Sequence, residues 1–73
     1  LLFENFSKAI ELADDVLDID PNYDNAYYLK GLCYKIQGNE EEALALYKKT
    51  LEINPENALA KKALAKKTLV KWN

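Results

Sequence analysis

The chain has 73 residues, 49% apolar and 30% charged, with a net charge of −2; that length admits one small domain, and the balance is that of a chain that folds. Cys33 is the single cysteine, there is no histidine, and all ten basic residues are lysine, which excludes an internal disulfide, leaves zinc without its usual ligands and removes the guanidinium fork that reads phosphates and base edges. No apolar run approaches the roughly 20 residues that span a bilayer, and no basic-then-apolar leader opens the chain, so no nucleic acid, membrane, metal or cofactor is expected as a partner.

The first predicted helix covers residues 3–19, with Ala9, Ile10, Ala13, Val16 and Leu17 at helical spacing. It is acidic: residues 1–24 carry a net −6. Asp14, Asp15, Asp18 and Asp20 lack the glycine and the spaced oxygen ligands of a calcium loop, so a solvated face is the expectation. Pro21 ends this element, and Leu1 in place of an initiator Met is read as the mark of a piece of something longer. The second helix, residues 24–37, carries Tyr27, Gly31 and Tyr34 on one face. Gly31 permits close approach of two helix backbones. Gly38 supplies the left-handed turn that ends it, and Asn39 with Glu42 three residues on forms a box-like start to the third helix, residues 40–53. Ala43 is the small residue where the third helix crosses the second, and Pro55 stops it. The fourth helix, residues 57–71, belongs to a segment, 57–73, with five lysines and no acid.

Residues 5–21 and 39–55 repeat each other. Asn5/Asn39, Ala9/Ala43, Leu12/Leu46, Leu17/Leu51, Ile19/Ile53 and Pro21/Pro55 are identical at a constant offset of 34 residues. A period of 34, with the aromatic, glycine, tyrosine, alanine and proline positions just named, resembles the tetratricopeptide repeat, a helix–turn–helix unit.

The resemblance implies an all-α fold of about four helices, antiparallel pairs stacked as a short right-handed α-solenoid. It divides the chain into residues 1–23, the second helix of a truncated repeat; 24–57, a complete repeat; and 58–73, a cap or a third repeat's first helix. Lys30 stands where leucine is commoner in the family, and its stem is expected to lie on the apolar surface with the ammonium in water. Glu4 replaces the turn glycine, so the first helix is expected to run unbroken through Asn5.

By the same resemblance the chain is a non-catalytic scaffold that binds a peptide or partner protein through its concave face. The positions implied to line that groove are Asn25, Tyr28, Leu32, Lys35 and Ile36, then Leu59, Lys62, Lys66, Leu69 and Val70. Tyr28, Leu32 and Ile36 recur every four residues as a stripe apart from the Tyr27/Gly31/Tyr34 face. Family members that clamp acidic chaperone tails use lysine, asparagine and arginine; the corresponding positions here hold Tyr28, Leu29, Leu32, Leu59 and Ala63, which suits an apolar or mixed peptide better.

Two other readings stand beside the groove. One is a purely structural repeat segment; the other is self-association, head to tail or by swapping, driven by the apolar face of the first helix and by ends charged −6 and +5. The lysines of the last helix scatter around more than half a wheel drawn at about 100° per residue, which favours a solvated cap over an anionic-surface patch, and Trp72 is read as a packing residue. Cys33 is read as a small core residue, with no histidine to activate it. No catalytic constellation is present, and a cytoplasmic location is the expectation.

Overall fold

The computed structural model describes the backbone from residue 2 to residue 72 and side chains from residue 5 to residue 65. Four helices follow one another: α1 (Leu2–Ile19), α2 (Asp24–Ile36), α3 (Glu40–Ile53) and α4 (Ala58–Trp72). Each packs on its neighbour in sequence, α2 on α3 most extensively, within principal extents of 38 × 30 × 16 Å. The described residues contain no strand. This is the all-α, paired-helix architecture expected, and α1 runs unbroken through Asn5.

The 34-residue period recurs in the backbone itself. The Asp20 N–H donates to the Val16 carbonyl at 2.8 Å and the Asn54 N–H to that of Thr50 at 2.9 Å; Tyr23 N–H bonds the Asp20 carbonyl at 3.1 Å and Asn57 N–H that of Asn54 at 3.0 Å. The side chains of Asp20 and Asn54 each accept a backbone N–H two residues on, from Asn22 and Glu56, both at 3.1 Å. These are Asx turns, in which a short polar side chain stands in for a backbone acceptor. Each spans a proline, where the chain cannot continue as helix.

The connection between α2 and α3 is built differently. Gly38 has φ +90°; its N–H bonds the Lys35 carbonyl at 3.0 Å, and the Asn39 N–H bonds that of Tyr34 at 2.9 Å. This pair of bonds is a Schellman motif, which satisfies carbonyls at a helix end. It also corrects the expected box at Asn39. The backbone N–H that Glu42 would accept is already given to Tyr34, and the Asn39 side chain makes no capping bond. Glu40, Glu41 and Glu42 still place negative charge at the positive end of α3.

The core lies along the α2–α3 seam. Ala43 is 1% exposed and Tyr47 2%. A Cβ built on Gly31 would lie 2.8 Å from Tyr47 Cε1 and 3.2 Å from the Ala43 carbonyl oxygen, so only glycine lets the two helices approach this closely. Thr50, fully buried, gives its hydroxyl to the Leu46 carbonyl at 2.8 Å.

Candidate functional site

α2 is covered on two sides, and what remains defines its open face. Towards α1 it presents Ala26, which is buried beside Ala13 and Val16, and Lys30, whose ammonium lies 2.7 Å from the Asp14 carboxylate; Cys33 is buried as well. The Lys30 side chain is only 19% exposed. Its head is therefore paired across the helix seam, not left in water, and Asp14 is not simply part of a solvated acidic face. Towards α3 it presents Tyr27, with the Lys49 ammonium 5.9 Å from the ring centre, together with Gly31 and Tyr28. The Tyr28 and Tyr47 rings are 5.6 Å apart and tilted by 32°. Tyr28 thus shares Tyr47 with Gly31 and does not belong to a stripe separate from that packed face, because residues three apart lie side by side on a helix.

Leu32 is half-buried, Lys35 is exposed, and Ile36 is 57% exposed. On α4, Leu59 is 50% exposed and Lys62 is exposed. Lys66, Leu69, Val70 and Trp72 lie outside the residues whose side chains are described. The expected groove positions on α2 and α4 thus include exposed aliphatic groups and lysines, whereas Tyr28 packs on Tyr47.

A polar network holds the starts of α2 and α4 together. Asp24 Oδ2 accepts from Asn54 Nδ2 at 2.9 Å and from Asn57 Nδ2 at 2.8 Å. The second Asn57 amide hydrogen goes to Asn25 Oδ1 at 2.8 Å, and Asn57 Oδ1 caps α4 by accepting the Ala60 N–H at 3.0 Å. Asn57 is 7% exposed, and both its donors and its acceptor are engaged. The hydrogen bond from Asn57, then that from Asn54, holds the Asp24 carboxyl below its ordinary pKa against the opposing effect of desolvation. Asn25 is therefore anchored through its carbonyl to the loop before α4 and ties the first expected groove position to the second expected groove helix. Residue types and spacing do not single out Asp24, Asn54 and Asn57. The period does carry a signal for them: Asp20–Tyr23 and Asn54–Asn57 are the same loop one period apart, so polar groups beside them come together when repeats stack.

Elsewhere the chemistry is quiet. Burial pushes the Cys33 thiol up, which suppresses the thiolate that reacts. The Tyr47 hydroxyl is pushed up by burial first, then by Tyr28 and Cys33. Among the described residues no three acidic or thiol side chains gather as a metal site, and no helix is long and apolar enough to cross a membrane.

Residues 25–57 match the family model of the tetratricopeptide repeat. The chain is 38% identical over 55 residues to small glutamine-rich tetratricopeptide repeat-containing protein 2 of Saccharomyces cerevisiae, covering 75% of this chain and 16% of that protein. It is 37% identical over 67 residues to serine/threonine-protein phosphatase T of Trypanosoma brucei brucei, covering 89% and 14%. Over 51 residues it is 39% identical to the DnaJ homolog subfamily C member 7 homolog of Dictyostelium discoideum, covering 70% and 10%. The chain spans less than a fifth of the length of these relatives, and no solved structure matches it significantly. With the matched repeat coinciding with the α2–α3 pair and its loops, the chain belongs to the tetratricopeptide repeat family.

Proposed function

We propose that this chain is a binding module that takes a peptide or partner protein on the face formed by α2 and α4. Tetratricopeptide repeats generally mediate protein–protein interaction, and one observation favours this face: Ile36 and Leu59 are 57% and 50% exposed, aliphatic groups that the fold leaves in water. They are flanked by the Lys35 and Lys62 heads, so the lining suits a ligand with apolar anchors and acidic flanks. Leu32 deepens the apolar lining, and Asn25, though held by Asn57, keeps its amide donors for a ligand backbone. Lys66 is assigned to the same face by its place in the repeat.

The test is a random peptide display library panned against the chain, followed by binding of the enriched peptides to the Ile36→Lys/Leu59→Lys variant. Both positions are exposed, so the variant should keep its helical circular dichroism and midpoint. Enriched peptides that lose at least about tenfold in affinity, the usual consequence of removing an apolar anchor, support the reading. Unchanged affinity, or no enrichment over a scaffold control, refutes it.

A further inference from the structure

We infer that Asn57 locks the Asn25 side-chain amide with its oxygen consumed and its N–H donors free, so that Asn25 selects peptides that set an acceptor oxygen beside Leu59. The inference rests on the peptide-binding reading and deepens it. Asn25 is the residue that discriminates between ligands, and Asn57, which the ligand need not touch, positions it.

The lock follows from groups that can each bond in only one sense. The Ala60 N–H can only donate, and it bonds Asn57 Oδ1 at 3.0 Å. Both hydrogens of Asn57 Nδ2 must then find acceptors. One goes to Asp24 Oδ2 at 2.8 Å, a carboxylate that only accepts, and the other goes to Asn25 at 2.8 Å. Asn25 must meet it with Oδ1, because the flipped amide would set N–H against N–H. Asn57 is 7% exposed, so a mismatched group there has no water to turn to. A backbone donor in α4 thus dictates which way a side chain on α2 faces.

What remains of Asn25 is a pair of N–H donors. Among the described residues no acceptor takes them, and the residue is exposed. Accepting a hydrogen bond at the oxygen draws electron density from the nitrogen and strengthens these donors. Leu59 lies one period after Asn25 and two positions past Asn57, and it is 50% exposed. An apolar group and a fixed donor pair therefore stand at the same end of the face. An extended peptide that seats an apolar side chain on Leu59 meets Asn25 with an oxygen, from a main-chain carbonyl or a side-chain carboxylate. An ammonium or guanidinium presented there is rejected, because Asn25 cannot flip to accept it without breaking the network.

Asn25→Asp is the discriminating variant. Its carboxylate still accepts from Asn57 and lies in the first turn of α2, where negative charge is favourable. Helicity and urea midpoint should therefore stay close to those of the native chain, while the donors are gone. Peptides enriched on the native chain by display should bind this variant at least about fivefold more weakly, the worth of one hydrogen bond. Asn57→Ser keeps the cap acceptor but frees Asn25, whose amide then spends about half its time reversed; affinity should fall at least about twofold, with no further loss in the Asn25→Asp background. In the ligand-free native chain, nitrogen relaxation should show the Asn25 side-chain amide as rigid as the backbone, and Asn57→Ser should make it as mobile as that of Asn39, which is exposed and makes no capping bond. A peptide acid whose alanine replacement weakens binding to the native chain but not to Asn25→Asp identifies a carboxylate as the acceptor; a fivefold loss without such a position identifies a main-chain carbonyl. Undiminished affinity in Asn25→Asp, an Asn25 amide already mobile in the native chain, or an Asn57→Ser loss that persists in full beside Asn25→Asp would overturn the inference. Peptides that ignore Ile36→Lys/Leu59→Lys refute the choice of face, whereas peptides sensitive to that variant and indifferent to Asn25→Asp refute this inference alone.

Discussion

Replacing Asn57 by Ala should cost the fold more than any other single polar change among the described residues. Three hydrogen bonds leave with its side chain: the cap on the Ala60 N–H at 3.0 Å and the two amide bonds, at 2.8 Å each, to Asp24 and Asn25. Loss of an N-cap is worth about 1 kcal/mol. The bond to the Asp24 carboxylate is charge-assisted and worth about 1.5–3 kcal/mol, reduced here because Asp24 keeps Asn54 as a donor. Asn25 is exposed and returns to water at little cost. The expected loss is about 2–3 kcal/mol, which for a domain of this size lowers Tm by roughly 10 °C or more. Urea and thermal unfolding followed by circular dichroism measure it. Asn57→Ser, which keeps a cap acceptor but no amide, should recover about 1 kcal/mol of the loss. Asn57→Asp should be worse than Asn57→Ala at neutral pH, because it sets a second carboxylate against Asp24, and should recover on acidification as that repulsion is titrated away. A loss below about 0.5 kcal/mol in Asn57→Ala, within the range of an ordinary surface change, would refute the role given to this network.

The same network predicts a pH dependence. The folded Asp24 carboxyl lies below its unfolded value, so its contribution is complete above the ordinary aspartate range and is lost as pH falls through the folded value; the stability gap between the native chain and Asp24→Asn should close on acidification, and a gap constant from about pH 7 to about pH 2.5 contradicts it. The two glycines should respond to alanine for different reasons. At Gly38 the Cβ meets nothing within 4 Å, but φ is +90°, so Gly38→Ala costs about 1 kcal/mol of backbone strain, and Gly38→Asn should cost less. At Gly31 about 1 kcal/mol of helix propensity is gained against overpacking of about 1–3 kcal/mol on Tyr47, so Gly31→Ala is expected to destabilise; a more stable protein in urea titration would show that the ring yields freely.

Features set by local chemistry are legible in the sequence alone. The left-handed turn at Gly38, the close crossing at Gly31 and Ala43, and the stops at Pro21 and Pro55 each follow from what one residue permits, and the 34-residue period orders them. Less legible is how side chains divide among three neighbours. Helical spacing groups Tyr28 with Leu32 and Ile36 on the open face, yet its ring leans on Tyr47. Nothing local pairs with Lys30, which points to a solvated head; Asp14 lies in the preceding helix and reaches it only when α1 and α2 pack. Asn39 has the residue type of a cap, but the glycine turn before it consumes the bond that Glu42 would complete. The Asp24–Asn54–Asn57 group spans contacts of 30 and 33 residues, a range at which only stacking of successive loops brings polar groups together.

The claim that the α2–α4 face receives the ligand is tested most directly by amide and methyl shift mapping of the labelled chain during titration with an enriched peptide. The account predicts that perturbations centre on Leu32, Lys35, Ile36, Leu59 and Lys62, with Tyr28 following. Perturbations confined to the outer surfaces of α1 and α3, with Ile36 and Leu59 unmoved at saturation, would contradict it.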